Sequence, residues 1–414
     1  MTTNELIALE GLYGANNYHP LDIILYRGEG VWVWDVKGNR YLDCLSAYSA
    51  INQGHCHPKI LEAFIRQART LTLTSRAFRN DQLPLLYETL HRLTGFDKIL
   101  PMNSGAEAVE TAIKAARKWA YTVKGVPEDK AEIIVAGGNF HGRTTTIVGF
   151  SSEEQYRFGF GPFAPGFKTV RYGEINDLQK SIKKNTAAFL VEPIQGEAGI
   201  IVPPEGYLKA VEEVCRENNV LLMVDEIQSG LGRCGKMFAY EYEDISPDAV
   251  IIGKALSGGF YPVSAVLARD EVLDVFQPGD HGSTFGGNPL AAATARAALE
   301  VLVDEHLFDR ANEMGAYFME GLRAIHSNHI RDIRGKGLWI GLELDTPARP
   351  YCEILARQGI LCKETHDKVL RIAPPLVISK KEIDWALDRF REVLTGFEPM
   401  KTTQNEKELS WQEY

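Results

Sequence analysis

The apolar residues in the middle of the chain are grouped in short runs instead of alternating with polar residues. Four such runs are predicted to be strands, at 131–137 (AEIIVAG), 186–195, 220–228 and 248–256. Near-continuous apolar strands are typical of a sheet that is covered on both faces. Amphipathic segments such as YLKAVEEVCRENN separate the runs, and this strand–helix alternation predicts an α/β fold with a mostly parallel sheet.

The pattern changes after about Asn288. A long helical segment, NPLAAATARAALEVLVDE, precedes a predicted helix over 309–326, the strand-like segments GKGLWIGLEL, GILCKE and VLRIAPPL, and a last helix over 380–395. This mixture predicts a second, smaller α+β domain. We therefore expect an N-terminal segment that packs with the small domain, a large domain, the small C-terminal domain and a tail, at 1–45, 46–287, 288–400 and 401–414.

Composition and charge narrow the class of protein. The chain has 414 residues, 45% of them hydrophobic, and a formal net charge of −10, which argues against nucleic acid or a membrane surface as partner. The longest strand-like apolar runs have five residues (AAFLV and VLLMV), too few to span a bilayer. The six cysteines are scattered, and the first 14 residues contain two acids but no Lys or Arg. These features predict a cytoplasmic enzyme with reduced thiols.

Two charged residues follow the apolar runs. Asp225 comes directly after VLLMV, and Lys254 comes directly after AVIIG. Ligands of open α/β sheets bind outside the carboxyl ends of the strands. Taken singly, such an acid can cap a turn and such a lysine can reach the surface. Together they supply what pyridoxal phosphate requires, because an amine binds this cofactor covalently and an acid keeps its pyridine nitrogen protonated.

A phosphate-binding segment is also present in the sequence. Ser104 and Glu107 form a predicted capping box at the start of an amphipathic helix, and Gly105 leaves the first backbone amides accessible. Capping boxes also begin helices that bind nothing. A second polar, glycine-rich turn, HGSTFGGNP, offers the hydroxyl groups of Ser283 and Thr284.

Two other kinds of site are disfavoured. The segment 230–236 (GLGRCGK) matches the first seven positions of a P-loop, but Met237 stands where a Ser or Thr should bind magnesium. The segment GHCHP brings His55, Cys56 and His57 together, yet adjacent residues rarely point at one metal, and the sequence offers no second ligand cluster. We expect no metal site and no nucleotide triphosphatase.

Six motifs, several of which contain the residues described above, resemble those of a known family: NSGAEA, NFHGRT, VEPIQGEAG, VDEIQSGLGR, GKALSGG and GSTFGGNP. In number, order and spacing they resemble those of the class III, fold-type I, pyridoxal-phosphate-dependent aminotransferases. The resemblance extends from YGANNYHP to RIAPPL. It implies a large domain with a mostly parallel central sheet, a smaller C-terminal α+β domain, and a homodimer with shared active sites.

The resemblance also implies roles around the cofactor ring. Lys254 would bind the cofactor and, once displaced, move a proton between carbon atoms. Asp225 would pair with the pyridinium nitrogen, and Gln228 would form a hydrogen bond with the phenolic oxygen. Phe140 would stack on the ring face.

The implied phosphate site combines both polar turns. The phosphate would sit on the amides of Gly105 and Ala106. Thr284, and with it Ser283, would come from the partner subunit of the homodimer.

Five residues are implied in substrate binding. Arg371 would bind the α-carboxylate of glutamate or 2-oxoglutarate, and Glu197 would neutralise Arg371 when ornithine binds. Tyr18, Tyr48 and Arg143 are the further features typical of ornithine as the amino donor, with Tyr18 and Arg143 at the far end of the substrate. These residues imply transfer of the δ-amino group of L-ornithine to 2-oxoglutarate, giving glutamate 5-semialdehyde and glutamate.

One position departs from this pattern. Some ornithine-specific members carry Trp before the GRT turn, whereas this chain has His141, which is common across the class. Acetylornithine and 4-aminobutyrate therefore stay open as alternative substrates.

Overall fold

The computed structural model of the protein describes residues 1–397. The predicted tail at 401–414 lies outside these residues. In chain order the strands are β1 (Leu25–Glu29), β2 (Trp32–Asp35), β3 (Arg40–Asp43), β4 (Lys98–Met102), β5 (Glu132–Ala136), β6 (Phe167–Val170), β7 (Thr186–Val191), β8 (Leu221–Asp225), β9 (Ala249–Ile252), β10 (Ser264–Ala268), β11 (Ile330–Lys336), β12 (Trp339–Leu344), β13 (Ile360–Leu361), β14 (Lys363–Thr365) and β15 (Val369–Ile372).

The helices surround these strands, and the predicted helices at 309–326 and 380–395 match α12 and α14 to within three residues. No helix within residues 1–397 combines the length and apolarity that crossing a membrane requires. In chain order the helical segments are α1 (Thr3–Tyr13), α2 (Ser46–Ser49), α3 (Pro58–Ala68), α4 (Gln82–Thr94), α5 (Gly105–Trp119), α6 (Thr145–Gly149), α7 (Glu154–Arg157), α8 (Ile175–Ser181), α9 (Tyr207–Glu217), α10 (Asp270–Leu273), α11 (Pro289–Asp304), α12 (Leu307–Arg323), α13 (Arg349–Arg357) and α14 (Lys380–Gly396).

A seven-stranded sheet with the order β4-β10-β9-β8-β7-β5-β6 forms the centre of the molecule. Strands β5 to β9 pair in parallel, and every residue of β7, β8 and β9 is buried. This burial explains the near-continuous apolar runs and confirms the predicted α/β class. Strand β10 is antiparallel to both of its neighbours, a reversal that the sequence analysis did not predict.

Two four-stranded sheets complete the fold. One is antiparallel, with the order β11-β12-β15-β14, and comes entirely from the C-terminal part of the chain. The other joins β1, β2 and β3 to the two-residue strand β13, which runs parallel to β3. The strand-like segment GKGLWIGLEL contains the end of β11, a hairpin turn at Gly337, where φ is +55°, and the whole of β12. The domain boundaries stay a prediction.

Three backbone segments meet closely at that hairpin turn. A Cβ atom on Gly315 of α12 would overlap the carbonyl oxygen of Gly337. A Cβ atom on Gly337 would lie 2.6 Å from the carbonyl carbon of Cys234. The amide of Leu338 donates to the carbonyl of Arg233 at 3.2 Å. Glycine is required here because the helix, the hairpin and the 230–236 loop leave no room for a side chain.

Gly315→Ala is therefore expected to destabilise the protein by about 1–3 kcal/mol or more, because the added methyl group has only backbone to displace. Urea unfolding measures the change. Gly11→Ala is the matched control, since Gly11 also lies in a helix but has nothing within 4 Å of a Cβ atom. That control should be neutral or stabilising by about 0.4–1 kcal/mol. Equal effects of the two substitutions would contradict the close packing.

Candidate active site

The carboxyl ends of β8 and β9 bring the predicted acid and amine together. Asp225 ends β8 and lies in register with Ile251 of β9. Lys254 begins a 3₁₀ turn, Lys254–Ser257, shortly after β9 ends. Its φ of +44° lies in the left-handed region, which costs a lysine energy and is typical of functional sites. The fold therefore holds the backbone of Lys254 in a conformation that the free chain would avoid.

Both residues line a cavity of about 140 Å³. The lining contains six residues selected from the sequence and six that were not. The first six are Gly105, Ala106, Phe140, Asp225, Gln228 and Lys254, and the others are His141, Gly142, Glu192, Ile194, Ile227 and Ser229.

Asp225 is oriented by two hydrogen bonds. Its Oδ2 lies 2.7 Å from Nδ1 of His141, and its Oδ1 accepts the amide of Ile227 at 3.0 Å. Burial alone would lower the pKa of His141, but the hydrogen bond and charge of Asp225, with the charge of Glu192, raise it above its ordinary value. His141 is thus favoured as a cation that pairs with the Asp225 carboxylate. From the sequence, His141 stood out only as a departure from the ornithine-specific pattern, although it lies in the NFHGRT motif.

Glu192 is a second buried carboxylate that sequence reasoning missed, although it lies in the VEPIQGEAG motif. Its Oε2 accepts the amide of Phe140 at 3.0 Å, and its Oε1 accepts the amide of Gly196 at 3.4 Å. Burial raises the pKa of Glu192 to about 7, opposed by the charge of His141 and reinforced by that of Asp225. The residue thus ties two segments of the cavity wall together.

The environment of Lys254 favours its neutral form. Burial, followed by the positive charge of Arg371, lowers the pKa of Lys254 to about 8, although Asp225, Glu197 and Glu192 act in the opposite direction. A neutral amine is the form that attacks a carbonyl group. Lys254 is therefore suited to bind an aldehyde near neutral pH.

The start of α5 forms the predicted anion seat. Ser104 and Glu107 complete a reciprocal capping box, and the first helical amides have no intrahelical acceptor. A Cβ atom on Gly105 would lie only 3.0 Å from Cδ1 of Ile227, so a side chain would press against the cavity wall. Gly105 and Ala106 both line the cavity. Their amides can therefore bind a phosphate group at the positive end of the helix.

The second polar turn lies outside the cavity of this chain. Ser283 Oγ accepts hydrogen bonds from Asn103 Nδ2 at 3.0 Å and from the amide of Gly286 at 2.9 Å. Thr284 is exposed. The fold thus brings Ser283 close to the start of α5 but does not bring either hydroxyl group into the cavity.

Arg371, on β15, is buried beside the cavity. Its Nη1 donates to Glu197 Oε1 at 3.0 Å, and its Nη2 donates to Gln228 Oε1 at 2.9 Å. Burial lowers the pKa of Arg371, while Glu197 raises it. Because Arg371 takes the carboxamide oxygen of Gln228, the amide hydrogens of Gln228 remain to donate elsewhere, as its predicted role toward a phenolic oxygen requires.

Two aromatic rings flank the Arg371 guanidinium. The rings of Tyr48 and Trp339 each have their centroid 5.3 Å from its central carbon, within the range of cation–π attraction. Tyr48 belongs to α2, whose residues Ser46–Ser49 all have positive φ values, between 46° and 72°. Left-handed backbone costs L-residues about 1–2 kcal/mol each, so this turn stores strain where it presents Tyr48. Trp339 was not predicted as a site residue.

The remaining predicted substrate residues lie at the outside of the site. Arg143 is exposed, and its guanidinium carbon lies 3.8 Å from the centroid of Tyr156 and 5.6 Å from that of Phe140. Tyr18 is 75% exposed in the single chain. Neither residue lines the cavity in this chain, and Tyr156 is a neighbour that sequence reasoning missed.

The disfavoured sites have ordinary structural roles. Lys236 of the P-loop-like segment donates to the carbonyl of Glu241 at 2.9 Å, and the segment is followed by a short 3₁₀ helix, Ala239–Glu243, instead of the α-helix of a P-loop. His55 pairs with Asp43 at 2.7 Å, and His57 pairs with Glu305 at 3.2 Å. Within residues 1–397 no group of His, Cys, Asp and Glu is arranged to hold a metal ion, and the six cysteines are free thiols.

The donor set fits pyridoxal phosphate. An amine of lowered pKa, a carboxylate, an aromatic ring and a helix N-terminus face one cavity, which matches the aldehyde, pyridine nitrogen, ring face and phosphate of that cofactor. Lys254, Asp225, Phe140 and the amides of α5 would hold it.

Comparison with known proteins agrees with this chemistry. Residues 13–394 match the family described as Aminotransferase class-III. The chain belongs to this family of pyridoxal-phosphate-dependent aminotransferases, and its fold is the fold-type I architecture expected from the sequence.

Its relatives include several ornithine aminotransferases. The protein of that name from Geobacillus sp. (strain WCH70) is 61% identical over 394 residues, covering 95% of this chain and 99% of the relative. The Brevibacillus brevis protein is 62% identical over 392 residues, covering 95% and 98%. The solved ornithine aminotransferase of Toxoplasma gondii ME49 has a TM-score of 0.94 at 45% identity, covering 95% of each chain. An acetylornithine aminotransferase structure from Elizabethkingia anophelis has a TM-score of 0.88 at 48% identity, covering 96% and 100%.

Covalent capture of pyridoxal phosphate by the apoenzyme should accelerate as pH rises and level off above a midpoint near 8, because only neutral Lys254 reacts. Stopped-flow absorbance measures the rate, and borohydride reduction with peptide mapping should place the label on Lys254. Arg371→Gln should move the midpoint to higher pH, since it removes a cation that lowers the pKa of Lys254. A label on Lys236, or a midpoint near 10, would contradict this assignment.

Proposed function

We propose that the enzyme transfers the δ-amino group of L-ornithine to 2-oxoglutarate by a ping-pong mechanism in the cytoplasm. The products are glutamate and glutamate 5-semialdehyde, which cyclises to pyrroline-5-carboxylate. The ornithine aminotransferases that align over almost the whole chain support this choice of donor. The observation that carries the proposal is the ion pair between Glu197 and Arg371 at the edge of the cavity.

The pair acts as a gate between two substrates. With Glu197 on Arg371, the guanidinium is neutralised, so the α-carboxylate of ornithine avoids it and the δ-amine approaches Lys254. A carboxylate of 2-oxoglutarate offers Arg371 the same planar geometry and displaces Glu197. Gln228 and the rings of Tyr48 and Trp339 keep the guanidinium in place during this exchange. One arginine therefore serves both half-reactions.

The far end of the substrate is bound at the outer side of the site. Arg143 provides the cation for the α-carboxylate of ornithine or for the distal carboxylate of the oxo acid. Stacking on Tyr156 holds that guanidinium near Phe140 of the cavity wall. Tyr18 binds the α-amino group through its hydroxyl. These contacts place the δ-carbon, and not the α-carbon, at Lys254.

The chain's own residues then move one proton. Bound pyridoxal phosphate supplies an electron sink that acidifies the hydrogen on the carbon bearing the transferred amine. Lys254, freed when the substrate amine takes its place, would accept this proton at Nζ as a neutral base and deliver it to the carbon on the other side of the transferred nitrogen. Asp225, paired with His141, would keep the pyridine nitrogen protonated. Burial of these groups excludes water from the reacting atoms.

Acetylornithine is the second candidate donor, favoured by the similarity to the Elizabethkingia anophelis enzyme. Its α-nitrogen is acylated and carries no charge, so the outer side of the site would need no partner for an α-ammonium group. A 4-aminobutyrate enzyme would need no such partner either, because that donor lacks the α-amino group. Product analysis with each donor separates these substrates.

Glu197→Ala should open Arg371 permanently. Reaction with glutamate should become roughly 10- to 100-fold faster relative to ornithine, since a hydrogen-bonded charge contributes about 1.5–3 kcal/mol. Ornithine should also begin to donate its α-amine. Mass spectrometry of the products formed from ornithine and 2-oxoglutarate measures both changes.

Exposed Glu205 provides the matched control, and Glu205→Ala should leave products and rates unchanged. A Glu197 variant that keeps the wild-type ratio of ornithine to glutamate activity would overturn the gate. A wild-type enzyme that makes no pyrroline-5-carboxylate but accepts N-acetylornithine or 4-aminobutyrate would overturn the choice of donor.

We further propose a homodimer in which Thr284, assisted by Ser283, completes the phosphate site of the partner subunit. Thr284 is exposed in this chain, and neither hydroxyl group lines the chain's own cavity. The turn that carries them is nevertheless fixed through Asn103 to the start of α5. A second copy that packs against this turn would therefore receive the hydroxyl groups of Ser283 and Thr284 next to the N-terminus of its own α5.

Mixing two inactive or weakened variants tests the shared site. In a heterodimer of Lys254→Ala and Thr284→Ala chains, one active site holds both wild-type residues if Thr284 acts across the interface. Activity should then recover to about half of the activity of an equal amount of wild-type dimer, measured after co-expression with two affinity tags. A heterodimer no more active than the two homodimers would show that Thr284 acts within its own chain.

A further inference from the structure

Glu192 has no role in the mechanism above, yet it is almost completely buried in the cavity wall. Its two carboxylate oxygens accept backbone amides from two different segments, those of Phe140 and Gly196. Two amide donors favour the ionised form of a carboxyl group. A buried carboxylate is costly unless other charges compensate it, so its neighbours decide whether it stays ionised.

Glu192 forms a buried cluster of three charged groups with His141 and Asp225: the charges of His141 and Asp225 act on Glu192, and those of Asp225 and Glu192 act on His141. The charge of Glu192 also acts on Lys254 and on Arg371, which pairs with Glu197. Asp225 and a protonated His141 neutralise each other and leave no net charge for a pyridinium ion. With Glu192 ionised, the cluster carries one net negative charge, which a pyridinium ion completes to neutrality.

We infer that Glu192 is a positioning residue for amino transfer, whose buried charge keeps His141 protonated and so keeps the Asp225 carboxylate available to the pyridine nitrogen. This inference rests on the proposed transamination but not on ornithine as the donor. Without Glu192, burial would favour neutral His141, and the hydrogen-bonded pair would compete less well for the ring proton. Glu192 acts through His141 and Asp225 and does not touch the substrate.

A purely structural role makes a different prediction. Glu192 also joins the Phe140 segment to the segment that carries Glu197, and loss of this link alone would disturb the gate at Arg371. Glu192→Gln removes the charge but keeps the size. Glu192→Asp keeps the charge but is too short to reach both amides. The two variants therefore separate the charge from the link.

The experiment uses full-length holoenzyme labelled with ¹⁵N-histidine. The ring resonances of His141, identified with a His141→Asn variant, report its protonation at neutral pH, and stopped-flow absorbance gives the rate of the half-reaction with glutamate. Glu192→Gln should shift His141 toward neutral imidazole and slow the half-reaction about tenfold or more, with the KM for glutamate changed less than about twofold. Glu192→Asp should retain the protonated His141 signal and most of the rate.

Glu226→Gln is the matched control, because Glu226 is another buried carboxylate next to Asp225 but binds Ser229 and the amide of Tyr240. It should leave the His141 signal unchanged. An unchanged His141 signal in Glu192→Gln, or equal losses in the Gln and Asp variants, would overturn the inference. If Glu192→Gln does not fold, the Asp variant decides by keeping or losing the protonated signal. The glutamate half-reaction is common to aminotransferases with different donors, so these outcomes are independent of a failure of the ornithine assignment.

Discussion

The parallel pairing of β8 with β9 is the constraint on which the rest of the site depends. Its register sets Asp225 beside Ile251, three residues before Lys254, so the acid and the amine enter the same crevice from neighbouring strands. The helix α5 then brings its N-terminus to the same edge of the sheet. No side chain needs to cross the sheet, because parallel strands deliver their carboxyl ends to one side.

This arrangement concentrates charge in a buried place, and the fold compensates it with partners from distant parts of the chain. His141 forms a hydrogen bond with Asp225, and Glu197 and Gln228 accept hydrogen bonds from the buried Arg371. Burial raises the pKa of Glu192 to about 7 and lowers that of Lys254 to about 8, whereas Asp225 raises the pKa of His141 against the effect of burial. Stability and reactivity therefore depend on the same contacts.

The sequence was sufficient for features that depend on local pattern. Asp225 and Lys254 could be selected because each follows an apolar run, and the start of α5 could be located from the capping box at Ser104. Strand β10 could not be given a direction, because a short apolar run reads the same way in a parallel or an antiparallel pair.

Residues brought together by the tertiary fold were harder to find. His141 and Asp225 are separated by 84 positions, and nothing local marks them as partners. The turn of α2 contains no glycine, so its left-handed backbone leaves no trace in the sequence, although Tyr48 was selected through the family resemblance. Trp339 looked like an ordinary strand residue and is instead one of the two rings beside Arg371.

The glycine contact between α12 and the β11–β12 hairpin has a consequence for changing the donor. Backbone contacts backbone there, with no side chains between the two surfaces. The antiparallel sheet that carries Arg371 therefore cannot shift relative to the 230–236 loop by rearranging side chains. The distance between Arg371 and Lys254 is therefore set by the fold. A redesign for longer or shorter amines would therefore start from the exposed side chains of Tyr18 and Arg143, which take no part in these backbone contacts.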